Sequence, residues 1–334
     1  MERVETSPRH GWESVVRRRH FLTLIGGVAS SGLLAACSAG TASTPTTKPP
    51  APTIPAVPTA PPVLPTERAT AVNASASSLA GTSSAGSQAT GQALVIEAVE
   101  YGFKTMASIP GGLTTIQIRN LGREPHYAHL FRLNDGVTTE QYMGILQQDL
   151  KARTSAASDA LATQMGGPGT ALPGGTVAVI QDLRPGQYVI GCFVANDKGI
   201  PHAALGMVLP LMVSAPTGQA PAAPAVNGMI TLTDAGFDLP GSIPAGKSMY
   251  RVMNSGAAPH EFGLLGLTPG KTVADLKGYF AAPPAGPPPV ISSAGIAGLG
   301  PGQSGIVILD LTPGAYAVLV GDPTKTEIRG ITVA

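Results

Sequence analysis

Cysteine, aromatic side chains and charge are all scarce in this sequence. Only two cysteines occur, Cys37 and Cys192, so a disulfide-stapled scaffold is excluded. Aromatics are 4% and charged residues 12% of the chain, and the net charge is +1. With no basic cluster beyond the N-terminal arginines, nucleic acid is not an expected partner. No C-x-x-C-H, H-E-x-x-H or G-x-S-x-G pattern is present, and the acids are scattered without a recognisable pair, so a non-enzyme is expected. Long apolar runs are missing too. The one near the N-terminus is broken by Gly26, Gly27, Ser30, Ser31 and Gly32, too weak for a membrane span.

What the chain does have is 42 glycines and 32 prolines, which favour many short strands and turns over helical bundles. Its first residues read as an export signal, 1–36. Arg18-Arg19-His20-Phe21-Leu22 resembles the twin-arginine motif, although the pair sits in a longer arginine run that leaves the general secretory route open. Leu34-Ala35-Ala36-Cys37 resembles the bacterial lipobox. That resemblance implies lipid on Cys37 and anchorage at the outer face of a bacterial cytoplasmic membrane. Residues 37–91 are Pro, Thr, Ser and Ala with few large apolar side chains, and read as a disordered stalk. If Cys37 is lipidated, Cys192 is left as a lone exported thiol.

The rest is an internal repeat. "EYGFKTMASIPGGLTTIQIRNLGREPH" (100–126) matches "DAGFDLPGSIPAGKSMYRVMNSGAAPH" (234–260), sharing Gly-Phe, Ser-Ile-Pro, Asn-x-Gly and a closing Pro-His. "VAVIQDLRPGQYVIGC" (177–192) matches "GIVILDLTPGAYAVLV" (305–320). Apolar and polar residues alternate in short runs bounded by turn signals, the pattern of half-buried strands in a sandwich. Each copy carries a helical insert. The first spaces Tyr142, Ile145, Leu146, Leu150 and Leu161 helically after Thr138, a residue type suited to an N-cap; the second is "TVADLKGYF". The expected organisation is an all-β chain of two tandem β-sandwich domains, 92–214 and 229–334, joined by a linker at 215–228.

The first copy holds His126, His129, Cys192, His202 and Met207. Imidazole and thiolate are strong ligands for copper and zinc, and a weak thioether suits an axial position on copper. A remote histidine after a strand is followed by Cys, His and Met near the last two strands. In "NLGREPHYAHL", "GQYVIGC" and "PHAALGM" the chain resembles the cupredoxin (blue copper protein) family. The resemblance implies Greek-key sandwiches and one copper ion in the first domain, held by His126, Cys192, His202 and Met207. It also implies single-electron transfer with a redox protein partner. Period two puts His126, Ala128 and Leu130 on one strand face, Tyr127 and His129 on the other. His260 matches His126 in the repeat, so His126 is preferred and His129 is the alternative.

Nine residues separate Cys192 from His202, more than in plastocyanin- or azurin-like members. "ANDKG" reads as a turn that folds this loop back. The second copy has Val320 at the cysteine position and neither His nor Met after it, so it reads as a degenerate domain without the ligand set. "GSIPAGKS" (241–248) satisfies a phosphate-loop pattern but precedes a strand rather than a helix, so no nucleotide is expected. Two other functions fit the sequence: a metal-free β-sandwich scaffold lipoprotein, and copper capture or delivery.

Overall fold

The structure, a computed structural model, describes residues 92–219, 221–281, 287–321 and 326–334. Arg18 and Arg19 of the expected export motif, the expected lipidation site Cys37 and the expected stalk lie outside the described residues.

The first repeat runs through β1 (Gln92–Val99), β2 (Gly102–Lys104), β3 (Ser108–Pro110), β4 (Gly112–Asn120) and β5 (His129–Leu133). It continues through helices α1 (Thr139–Ala152) and α2 (Ala156–Asp159), then β6 (Ala162–Gly166), β7 (Thr176–Leu183), β8 (Gly186–Gly191) and β9 (Val208–Ser214). The second repeats this plan with β10 (Gly228–Thr233), β11 (Gly236–Asp238), β12 (Gly246–Asn254) and β13 (His260–Leu267). Helix α3 (Val273–Ala281) follows, then β14 (Val290–Leu299), β15 (Ser304–Leu311), β16 (Gly314–Gly321) and β17 (Thr326–Val333). The all-β class is as expected, with a helical excursion in each copy. Strand β12 begins within the phosphate-loop match, so that match opens no helix.

Alternation explains the strands. Leu94, Ile96 and Ala98 of β1, Ile116 and Ile118 of β4, and Val177 and Val179 of β7 point inward, with less buried residues between them. A period of two gives each strand one apolar face, and burying it against a second sheet is the stable arrangement. The inserts bury one face of each helix. Thr138 caps α1 by accepting from Gln141 N at 3.2 Å, and Tyr142, Leu146 and Leu150 turn inward. In α3, Thr272 Oγ1 and Asp275 cap each other reciprocally, and Leu276, Tyr279 and Phe280 are buried.

The repeats are joined through both sheets. One sheet has the order β11-β10-β12-β15-β7-β4-β1-β2, so β7 and β15 pair across the junction at Ile180–Ile306, Val179–Val307 and Ala178–Ile308. The other runs β17-β16-β13-β14-β6-β5-β8-β9-β3, with Met165 opposite Leu299. Further bonds stitch this second seam: Gly300 N to Gln164 O at 2.8 Å and Ala297 N to Gly167 O at 2.9 Å. One apolar core takes side chains from both copies, among them Ile190, Cys192, Val194, Leu232, Phe262 and Val320. No helix among the described residues is long and apolar enough to cross a membrane.

Gly167, directly after β6, tests the close packing inside the first repeat. Its φ is +108°, and a Cβ there would run into the backbone oxygen of Ala128 and the Leu130 side chain. Gly167→Ala should cost roughly 3 kcal/mol in urea unfolding. Gly174→Ala, at φ +73° with open space around it, should cost about 1 kcal/mol. Equal costs would contradict the close approach of Gly167 to Ala128 and Leu130.

Candidate metal centre

The site is assembled from two loops at one end of the first repeat. The first, Asn120–His126, leaves β4 through an Asx turn: Gly122 N donates to Asn120 Oδ1 at 2.9 Å. Asn120 Nδ2 then donates to Glu124 O at 2.7 Å and to Ala171 O at 2.9 Å, so one buried amide holds the loop at both sides. His126 exchanges backbone bonds with Ala171, its N donating at 3.1 Å and its O accepting at 2.7 Å. Gly122 leaves room for both side chains, because a Cβ there would lie 2.5 Å from Glu100 Oε1 and 3.0 Å from His126 Nε2. The histidine that ends the loop is fully buried.

The second loop carries Cys192 and His202, and its length is absorbed by a small hairpin. Asn196 Oδ1 accepts from Lys198 N and Ile200 N, both at 3.0 Å, and Asn196 N donates to Ile200 O at 3.0 Å. Ala195 and Pro201 face each other as an isolated bridge, so residues 196–200 bulge out while their neighbours continue together. His202 N reaches Val194 O at 2.8 Å and Ala203 N reaches Cys192 O at 2.7 Å. The expected fold-back at "ANDKG" is thus the hairpin tip. Met207 follows a single turn of 3-10 helix (His202–Leu205) and closes the ring of bonds. Its N donates to His202 O at 2.9 Å and its O accepts from Cys192 N at 3.1 Å.

Three of the sequence candidates converge. His126 Nδ1 lies 3.1 Å from His202 Nδ1, and Cys192 Sγ lies 4.0 Å and 3.6 Å from those two nitrogens. All three residues are fully buried, and they form a metal-capable group among the described residues. Ligand atoms about 2.0 to 2.3 Å from a shared ion stand roughly 3.3 to 3.8 Å apart, so the triangle has the size of a coordination site. Met207 is fully buried in the same core as Cys192. His129 is placed elsewhere: its Nε2 donates to Gly298 O at 2.8 Å, across the junction between repeats. The alternative ligand is therefore held in the seam.

Two acids that sequence reasoning missed stand behind the imidazoles. His202 Nε2 donates to Glu124 Oε2 at 2.6 Å, which fixes the tautomer that leaves Nδ1 free to coordinate. Glu100 Oε1 lies 3.9 Å from His126 Nε2, and its carboxylate accepts from the N–H groups of Arg123 and Glu124. The repeat carried a signal for Glu100, since Asp234 matches it; Glu124 had none.

Burial dominates the electrostatics. It lowers His126 to about 4, helped by the neighbouring His202, and lowers His202 to about 4. It raises the Cys192 thiol to about 12. Glu124 is raised by burial and by the nearby Asp197 and Glu100 carboxylates. At Glu100 burial works upward too, but the N–H groups of Arg123 and Glu124 outweigh it and hold the carboxyl below its usual range. Metal-free, the pocket therefore holds two neutral imidazoles and a protonated thiol at neutral pH.

The second copy keeps the outer frame. Asn254 accepts from Gly256 N and donates to Ala258 O and Leu299 O, as Asn120 does in the first. Asp234 accepts from Ala257 N, Ala258 N and His260 Nε2, which brings its carboxyl down to about 2. The inner donors are gone. Val320 pairs with Phe262, and buried His260 Nδ1 has no hydrogen-bond partner.

No family model and no curated protein sequence matches the chain. Solved structures match in part. A multicopper oxidase is 14% identical over 72% of this chain and 88% of its own, with a TM-score of 0.22. Auracyanin A, a "blue" copper protein from the green thermophilic photosynthetic bacterium Chloroflexus aurantiacus, is 18% identical over 36% of this chain and 98% of its own, TM-score 0.25. A copper-containing nitrite reductase from Thermus scotoductus SA-01 is 13% identical over 72% of this chain and 61% of its own, TM-score 0.21. Likenesses this distant carry no functional weight, and the sandwich rests on the strand order and packing of the chain itself.

The buried imidazoles set an acid limit. They are neutral in the fold down to about pH 4, whereas in the unfolded chain histidine binds a proton near 6.5. Their contribution is fully present above about pH 6.5 and lost as pH falls through about 4, because the unfolded state takes up protons first. Urea unfolding of the metal-free protein at pH 7 and 4.5 should differ by up to roughly 3 kcal/mol per imidazole. A flat profile over that window would contradict neutral, buried His126 and His202.

Proposed function

We propose that the protein binds one copper ion through His126, Cys192, His202 and Met207 in a first cupredoxin-like domain (92–214), and that it carries single electrons. On this reading the second domain (229–334) is a metal-free copy, and lipid on Cys37 tethers the chain at the outer face of a bacterial cytoplasmic membrane. The observation that carries the proposal is the convergence of two Nδ1 atoms and one thiol in a fully buried pocket.

The donor set fits copper: two imidazoles and a thiolate, with the buried Met207 bonded through its backbone to both Cys192 and His202 and offering a thioether, are the residue types that distinguish a copper electron-transfer site from a zinc site. When bound, the ion supplies a one-electron couple. Cys192 gives up its proton on loading, so uptake releases acid. Glu124 holds His202 Nε2–H and turns its lone pair inward. Asn120 and Asn196 fix the two loops, so the ligands are preorganised and little rearrangement accompanies a change of charge. Burial of all three donors favours a carrier over a capture or delivery protein, which needs an open site. It also favours a carrier over an enzyme, which needs room for substrate. The stalk would give the domain reach toward a membrane-bound redox partner.

Purified exported protein should take up one equivalent of copper and show an intense thiolate-to-copper visible band. Cys192→Ser should abolish that band, and Cys37→Ser should move the protein from the membrane fraction to the soluble one. A band that survives Cys192→Ser, or a colourless copper-treated protein, overturns the copper assignment. Membrane retention of Cys37→Ser overturns the anchor.

A further inference from the structure

Among the described residues, two that are not glycine have a positive φ. Arg153 is the left-handed C-cap of α1, an ordinary use of that conformation. Tyr101, at φ +62°, is the second residue of the two-residue turn between β1 and β2, where Val99 pairs with Gly102. Such turns favour Gly, Asn or Asp, and a bulky side chain there costs on the order of 1 kcal/mol. The second copy has Ala235 at this position, with no positive φ. The strained tyrosine thus occurs only in the copy that holds the Cys and second His.

Its side chain accounts for the strain. The ring stands edge-on to His202 with centroids 5.2 Å apart. Its hydroxyl lies 3.5 Å from Glu124 Oε1, on the carboxylate that holds His202, and 3.5 Å from Asn196 Nδ2, on the amide that folds the long loop. His202 and Cys192 have no exposed surface, whereas Tyr101 is partly exposed. One side chain therefore touches a candidate ligand, the acid behind it and the loop hairpin, and it reaches solvent where the candidate ligand does not.

We propose that Tyr101 is a positioning residue and lid: its ring holds the His202 imidazole and shuts the pocket against water, small anions and thiol reagents. The ring does the covering, because hydroxyl contacts at 3.5 Å are weak. The proposal builds on the copper reading, but a lid over the pocket that holds Cys192 needs no metal and can be tested without it.

The test uses the full chain in a Cys37→Ser background, so that Cys192 is the one thiol. In the metal-free protein, reaction of Cys192 with a small aromatic disulfide reagent should speed up at least about tenfold in Tyr101→Ala, through access rather than thiol acidity. Tyr101→Phe should stay within about twofold of the parent. With copper loaded, azide should change the visible spectrum of Tyr101→Ala and leave the parent and Tyr101→Phe unchanged. Tyr101→Gly, which relieves the backbone strain, repeats the test if the alanine variant folds poorly. Unchanged thiol rates in the Ala and Gly variants overturn the lid, as does a Phe variant as open as Ala. A protein with no copper spectrum in any variant overturns the copper reading instead, while the thiol rates still decide the lid.

Discussion

The hydrogen bonds that close the Cys192–His202 loop on itself are the constraint on which the site depends. Without the pinch at Ala195 and Pro201, nine intervening residues would let the thiol and the imidazole wander apart. Asn196 supplies the pinch with one side-chain oxygen that accepts two backbone N–H groups. The bonds from His202 N to Val194 O and from Ala203 N to Cys192 O then set the two side chains on the same side of the loop. Met207 completes the ring by bonding the backbone of both. A long connection thereby behaves as a short one, and its extra residues project as a hairpin that touches Tyr101.

The second copy separates what the fold needs from what the site needs. Its Asn-x-Gly turn, its acid between β10 and β11 and its Pro-His are all retained, and turn and acid keep the backbone bonds of the first copy, so these features serve the sandwich first. The acid and histidine differ in reach, with His260 Nε2 bonded to Asp234 at 2.9 Å where His126 Nε2 stands 3.9 Å from Glu100. What it lacks is the cysteine, the second histidine and the tyrosine. Val320 fills the thiol position with an apolar side chain that packs in the shared core, while His260 Nδ1 is left unpaired. An unpartnered buried nitrogen costs about 1 to 3 kcal/mol. The copy bears that cost within a structure stabilised by two continuous sheets.

Much of the fold was legible because it depends on period-two alternation and on turn residues, both local properties. The β1, β4 and β7 patterns and the Thr138 cap follow from their own residues. The seam between repeats was not legible, since pairing of β7 with β15 depends on two edges meeting after the chain has folded. At the site, Cys192, His202 and His126 could be singled out by residue type and repeat. The repeat favoured His126 over His129, but the bond that holds His129 to Gly298 O, 169 residues away in sequence, had no local signal. Glu124 and Tyr101 carried no pattern at all, because their roles come from where loops end and not from spacing.

X-ray absorption at the copper edge of the natively exported protein tests the central claim most directly. Coordination by His126, Cys192 and His202 predicts one short sulfur and two imidazole nitrogens around a single ion, with Cys192→Ser removing the sulfur. A shell of nitrogen and oxygen alone, or no copper in the exported protein, would contradict it.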